Sequence, residues 1–121
     1  MSGPTSYRHQ IKAGELIFEE NEFDEVAYLV VSGEVEIFRL SGNQEQMLAT
    51  VGRGEIIGEM SLIDNQPHVA SARALSDTEV SVISRKSFQQ RLDRLEKSDR
   101  VLRRLIGVLV DRLRGQDRAR W

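Results

Sequence analysis

The feature that most constrains the fold of this chain is a change in hydrophobic spacing at Ser84. Before it, from Glu15 onward, apolar residues form short alternating or continuous runs separated by Gly, Asn, Asp and Ser. That pattern is typical of strands joined by turns. After Ser84, apolar residues recur every three to four positions, as in a helix that buries one face. A chain of 121 residues is also the size of one domain. The sequence therefore predicts a single mainly β domain over residues 1–121 that ends in helices.

The β part is predicted to be an antiparallel, jelly-roll-like β-roll of about eight strands with flanking helices, over about residues 12–84. Strand-length segments fall at 15–18, 26–31, 35–40, 46–51, 69–75 and 78–84. Turns are predicted at Ser32-Gly33-Glu34 and at Ser41-Gly42-Asn43, where the residue types tolerate positive φ. Short turns between successive strands favour an antiparallel meander.

Two C-terminal helices are predicted over about residues 85–115. Ser84 is a plausible N-cap for the first helix, and a break near 97–99 separates it from the second. The second helix has an apolar face wider than one contact needs. Either the roll covers this face entirely, or part of it binds a second copy of the chain. In the second case the homodimer interface would contain Val101, Leu105, Val108 and Leu109.

Composition argues against catalysis and against a metal or organic cofactor. The chain has no Cys, so disulfides, thiolate metal ligands and a thiol nucleophile are excluded. The two histidines, His9 and His68, are not spaced as metal ligands, and no nucleophile elbow or Walker loop is present. We expect a protein that is not an enzyme.

The charge of the chain is divided between its two parts. Residues 1–84 have 5 basic and 14 acidic side chains, and residues 85–121 have 12 and 5, so the two parts carry −9 and +7. The simpler interpretation is a basic helical segment lying on an acidic body. The alternative is a contact with nucleic acid or a membrane surface.

A cytoplasmic location is expected. Met1-Ser2-Gly3-Pro4-Thr5-Ser6 has no apolar export signal, and no run approaches the roughly 18 apolar residues of a membrane span.

Residues 52–71 contain the pattern most indicative of a ligand. Gly58 permits close backbone approach, and residues 59–62 can form one helical turn whose free N–H groups favour an anion. Pro67 then stops the helix. The segment suits a small anionic ligand, although an ordinary Gly-rich connection has a similar composition.

This segment resembles the phosphate-binding cassette of cyclic-nucleotide-binding domains. The similarity rests on Gly58-Glu59-x-Ser61-Leu62 and on Pro67-x-x-Ala70-Ser71, with supporting matches at Gly14-x-x-Ile17-Phe18 and at residues 28–35. The helical tail is similar to that of the bacterial catabolite-activator type. The resemblance implies that the ligand is cyclic AMP or cyclic GMP. The ligand-binding residues would be Gly58, Glu59, Met60, Ser61, His68, Val69, Ala70 and Ser71.

The resemblance also implies roles for individual residues. Glu59 would accept from the ribose 2′-hydroxyl, and the N–H groups of Ser61 and Val69 would face the phosphate. His68 departs from the family, which usually has at that position an arginine that grips the phosphate. An imidazole lacks the charged fork of arginine, so phosphate binding is expected to be weaker. The alternative for His68 is a solvent-exposed residue in a cassette that has lost its ligand.

Two functions follow from these alternatives. One is a regulatory domain that binds a cyclic nucleotide and signals through its C-terminal helices, with a separate effector protein as a possible partner. The other is a ligand-independent interaction domain that keeps the fold and dimerises. Only eight residues follow Leu113, so sequence-specific DNA binding by this chain is not expected.

Overall fold

The computed structural model describes residues 7–115, and the expectation about an export signal at 1–6 lies outside that range. Within it, eight strands form two four-stranded antiparallel sheets, which confirms the predicted mainly β fold. The strands are β1 (Tyr7–Ile11), β2 (Leu16–Phe18), β3 (Val26–Ser32), β4 (Val35–Ser41), β5 (Gln44–Val51), β6 (Ile56–Ile57), β7 (Ser71–Ala74) and β8 (Thr78–Ser84). The helices are α1 (Glu59–Ile63), α2 (Arg85–Ser98) and α3 (Arg100–Arg114).

The strands do not form the predicted meander. Their order is β1-β8-β3-β6 in one sheet and β2-β7-β4-β5 in the other, so only β4 and β5 are both consecutive and paired. The turn at Gly33 sends the chain from one sheet to the other instead of closing a hairpin. Gly33 has a φ of 95°, and a Cβ there would lie 2.4 Å from Thr78 Oγ1 on β8. Crossing between sheets therefore brings this turn against a distant strand, which local spacing does not reveal.

Two strands and one boundary differ from the sequence interpretation. The N-terminal lead is strand β1, with Ile11 its only buried residue, so the roll begins before residue 12. The two-residue β6 was not predicted, and β7 is shorter than the segment predicted at 69–75. Between residue 7 and β2 the structure has no helix. The helices that accompany the roll are therefore α1, within the cassette, and the C-terminal pair.

The core lies between the two sheets and extends to the cassette. Val30 of β3 and Val35 of β4 are fully buried, and Phe18, Ile57 and Ala70 belong to the same cluster. The segments before and after α1 are thus fixed by the packing that holds the roll together.

The C-terminal helices begin and end as the sequence predicts. The Ser84 hydroxyl accepts from the backbone N–H of Ser87 at 3.1 Å, so Ser84 is the N-cap of α2. Asp99 is the single residue between α2 and α3. Its N–H donates to the Leu95 carbonyl, and its carboxylate accepts from the Leu102 N–H. No helix among residues 7–115 is long and apolar enough to cross a bilayer.

Helix α3 packs only loosely against the rest of the domain. It contains no buried residue, so the interpretation in which the roll covers its whole apolar face is wrong. Its C-terminal end is attached to the cassette helix, since Arg114 Nε donates to the Ile63 carbonyl oxygen at 2.9 Å.

A partly buried cluster of three charged side chains joins strands β4, β5 and β7. Arg73 of β7 donates to Glu36 of β4 and to Glu45 of β5, and its guanidinium lies 4.4 Å from the centre of the Phe38 ring. The hydrogen bond from Arg73 holds the pKa of Glu45 below its usual value. The Glu36 side chain is only 9% exposed, so it depends on Arg73 for compensation of its charge.

Replacing Arg73 should destabilise the fold because it leaves the Glu36 carboxylate uncompensated. We expect Arg73→Met to lower the free energy of unfolding by about 3 kcal/mol, measured by urea denaturation. The double variant Arg73→Met/Glu36→Leu should recover most of that loss, and Glu45→Gln, at an exposed partner, should change the stability much less. A double variant as unstable as Arg73→Met would contradict the explanation.

Candidate functional site

Seven of the eight residues predicted to bind ligand line one narrow cavity of about 30 Å³. They are Gly58, Glu59, Met60, Ser61, His68, Val69 and Ala70. The wall is completed by apolar residues of the roll, including Phe18, Ile37 and Ile57. The eighth residue, Ser71, does not line it: its hydroxyl accepts from the Glu20 N–H at 2.8 Å. The fold therefore brings both halves of the cassette to one place.

Gly58 allows a side chain of the protein itself to approach the cassette backbone. It has a φ of 75° and immediately precedes α1. A Cβ at this position would lie 2.8 Å from His68 Cε1, closer than any real contact. The space left by the missing side chain of Gly58 is thus occupied by the imidazole of His68.

His68 is buried, so its interpretation as a solvent-exposed loop residue is wrong. The side chain is 2% exposed, and Nε2 lies 2.9 Å from Asp24 Oδ1. Its ring stacks on Phe18 with a centroid distance of 3.8 Å and an interplanar angle of 14°. The backbone is held as well, since the His68 N–H donates to the Glu22 carbonyl and the Asn21 N–H donates to the His68 carbonyl. Asn21 has a φ of 72°, in the left-handed region that asparagine tolerates.

The Asp24 carboxylate is the centre of this arrangement, and the sequence interpretation missed it. Besides His68, it accepts from the Ser61 hydroxyl at 3.3 Å and from the Tyr28 phenol at 2.9 Å. It therefore links α1, the segment after Pro67 and strand β3. A carboxylate four positions before an inward aromatic is the only local signal, and it is too common to have been singled out.

The hydrogen bond between the Tyr28 phenol and Asp24 affects the ionisation of Tyr28. Burial raises the pKa of its phenol well above the usual value near 10, and the hydrogen bond and charge of Asp24 raise it further. A group whose pKa is raised on folding stabilises the protein fully below its unfolded pKa. That stabilisation is lost as the pH rises through and beyond about 10.

The stability of the domain should therefore fall above pH 10 in a way that depends on Tyr28. Measured by urea unfolding at pH 8 and pH 10.5, the parent should lose more stability between these values than Tyr28→Phe. Tyr7→Phe, which changes an exposed phenol on β1, is the control and should lose as much as the parent. Equal losses in the parent and in Tyr28→Phe would show that the buried phenol does not contribute.

Comparison with known proteins identifies the same family that the cassette sequence resembles. The model of the cyclic nucleotide-binding domain family matches residues 8–94. The chain is 40% identical over 105 residues to the cyclic AMP receptor protein of Thermus thermophilus, covering 86% of this chain and 47% of that protein. It is 36% identical over 84 residues to a cAMP-dependent protein kinase regulatory subunit of Emericella nidulans, covering 69% and 20%. The chain thus spans less than half the length of these relatives.

Solved structures with the same fold include an EAL enzyme and a catabolite activator protein. A half-site-occupied form of the EAL enzyme Bd1971 superposes with a TM-score of 0.82 at 37% identity, covering 91% of this chain and 96% of the other. A cAMP-bound form of that enzyme gives 0.68 at 35% identity, covering 90% and 29%. The Thermus thermophilus catabolite activator protein gives 0.73 at 38% identity, covering 90% and 50%.

The family match covers most of the chain, from β1 through most of α2, and includes every cassette residue that lines the cavity. The protein therefore belongs to the cyclic nucleotide-binding domain family.

Proposed function

We propose that this domain binds cyclic AMP or cyclic GMP at the cassette and acts as a regulatory module, not as an enzyme. The observation that carries the proposal is the convergence of seven cassette residues on one cavity at the open end of the roll. Structures of the relative Bd1971 with cAMP and with cGMP support this choice of ligand class.

The cassette residues divide into ligand contacts and supports. Glu59 accepts from the ribose 2′-hydroxyl, and the backbone N–H of Val69 faces the phosphate. The Ser61 N–H donates to the Gly58 carbonyl oxygen at 3.2 Å, so it binds the phosphate only if that hydrogen bond is given up. His68, stacked on Phe18 and bonded to Asp24, positions the backbone of the adjoining residue Val69. A cavity of about 30 Å³ has room for about one water molecule, so the nucleotide contacts the cassette mainly from the mouth of the cavity.

Signalling runs from the cassette helix to the C-terminal helices. Arg114 of α3 bonds the Ile63 carbonyl at the end of α1. Arg85 of α2 donates to the Asn65 side chain at 3.0 Å and to the Ser61 carbonyl at 3.4 Å. A displacement of α1 by the ligand therefore moves both helices, and their movement changes the contact with a separate effector protein.

The exposed apolar face of α3 is the surface through which two copies of the chain associate. Val101 is 81% exposed and Leu105 is 51% exposed, and Val108 and Leu109 are exposed beside them. Apolar side chains at this spacing form a stripe along the helix, and a second copy of the stripe would remove them from water.

Titration calorimetry with cyclic AMP and cyclic GMP tests the proposed ligand. We expect saturable binding of at least one of them and weaker binding by Glu59→Ala. The loss of one hydrogen bond shielded from water is worth about 1 to 2 kcal/mol, which is roughly a 5- to 30-fold loss of affinity.

Glu34→Ala is the matched control for Glu59→Ala. Glu34 is an exposed glutamate in the turn between β3 and β4, and it does not line the cavity. Its replacement should leave the affinity unchanged. If the parent binds neither nucleotide at millimolar concentration, the proposal fails and the ligand-independent interaction domain replaces it.

Self-association is tested by placing a charge in the stripe. Leu105→Glu should shift the parent from dimer to monomer in analytical ultracentrifugation, because a dimer would bury the new carboxylate among apolar side chains. Leu40→Glu is the control, since Leu40 on β4 is 57% exposed and lies outside α3. A parent that is already monomeric at high micromolar concentration would contradict the prediction.

A further inference from the structure

The cavity is lined by a carboxylate but by no lysine or arginine. Among the described residues on its wall, Glu59 is the acidic one, and His68 has its Nε2 engaged by Asp24. An anionic phosphodiester at the mouth would thus approach the Glu59 carboxylate, and the His68 imidazole on the same wall is already bonded to Asp24. Compensation of its charge has to come from a cation at the rim.

Arg39 is directed toward this rim by the pleat of β4. Val35 and Ile37 belong to the core cluster inside the roll, and Ile37 lines the cavity. Alternate residues of a strand share a face, and Arg39 is two positions beyond Ile37. The register shift between Ile37 and Phe38 places the extra residue, Leu48, on β5, so the alternation along β4 is uninterrupted. Arg39 therefore lies on the inner face, where the sheet ends at the cassette.

The contacts of Arg39 fix it beside the position where the family usually has its arginine. Its Nε donates to the carbonyl oxygen of Val69 at 3.1 Å, and Val69 follows His68 directly. The same Nε lies 4.0 Å from a Glu20 carboxylate oxygen, and the side chain is 36% exposed. The guanidinium thus lies beside Val69, near a carboxylate, and is still reached by solvent.

Arg85 also contacts the cassette, but it is less suited to the role. Its donors are directed to the Ser61 carbonyl and the Asn65 side chain, and its Nε lies 3.8 Å from Glu25. It lines the separate groove between α1, α2 and α3, and not the cavity beside Val69. Its contacts make it part of the link between helices.

We propose that Arg39 supplies the cationic contact to the phosphate of the bound nucleotide that position 68 does not supply. Arg39 would turn from the Glu20 carboxylate toward a phosphate oxygen while it remains beside the Val69 carbonyl. The inference rests on the proposed function, since it names a further binding residue of the same site. A guanidinium is permanently charged and presents several donors in one plane, which suits a phosphodiester better than a buried imidazole does.

Binding of the nucleotide identified by calorimetry provides the test. Arg39→Gln should weaken it by roughly 10- to 200-fold, the range for one charge-assisted hydrogen bond. Arg39→Lys keeps the charge without the planar fork and should fall between Arg39→Gln and the parent. Arg53→Gln, at an exposed arginine in the turn before β6, makes the same change in net charge and should leave the affinity unaltered.

Salt dependence separates a charge contact from a merely structural role of Arg39. Between 50 and 500 mM NaCl, the affinity of the parent should fall more steeply than that of Arg39→Gln, because the variant has lost the screened interaction. A loss of affinity with the salt dependence of the parent would mean that Arg39 only positions Val69, and would overturn the proposal. So would a variant that binds as tightly as the parent. If the parent binds no nucleotide, the proposed function itself is wrong. That result is distinct from the two that would overturn only the role of Arg39.

Discussion

The hydrogen bonds of the Asp24 carboxylate hold the two halves of the cassette to the roll. It accepts from Ser61 in α1, from Tyr28 in β3 and from His68 after the cassette proline. A shielded carboxylate requires such donors, and each of these donors would be left unsatisfied without it. The position of α1 and the orientation of the His68 ring are therefore both coupled to the Asp24 side chain.

The role of position 68 follows from this requirement. In most of the family an arginine there extends to the ligand, whereas here a flat ring fills the space between Phe18 and Gly58. Packing and phosphate binding, which one arginine can combine, are divided in this chain between His68 and, in our proposal, Arg39. On this proposal the cassette stays packed by His68 while the cation is supplied from strand β4.

The sequence predicted those features that local physics determines. The helix cap at Ser84, the break near residues 97–99 and the single turn of α1 follow from capping residues and apolar period. It did not predict that Gly33 carries the chain between sheets, because sheet partners are set by packing against distant strands. The burial of His68 was missed for a similar reason. A histidine in a loop has no periodicity, and its environment comes from Phe18 and Asp24, more than forty positions earlier.

The single-residue junction at Asp99 gives α3 the geometry of a lever. Fifteen helical residues span about 22 Å, so a rotation of 10° about Asp99 would move the far end by about 4 Å. The hydrogen bond from Arg114 to Ile63 is 2.9 Å long, so after such a rotation it persists only if the long Arg114 side chain changes its conformation. The length of α3 thus converts a small change of angle at Asp99 into a large displacement beside the cassette helix.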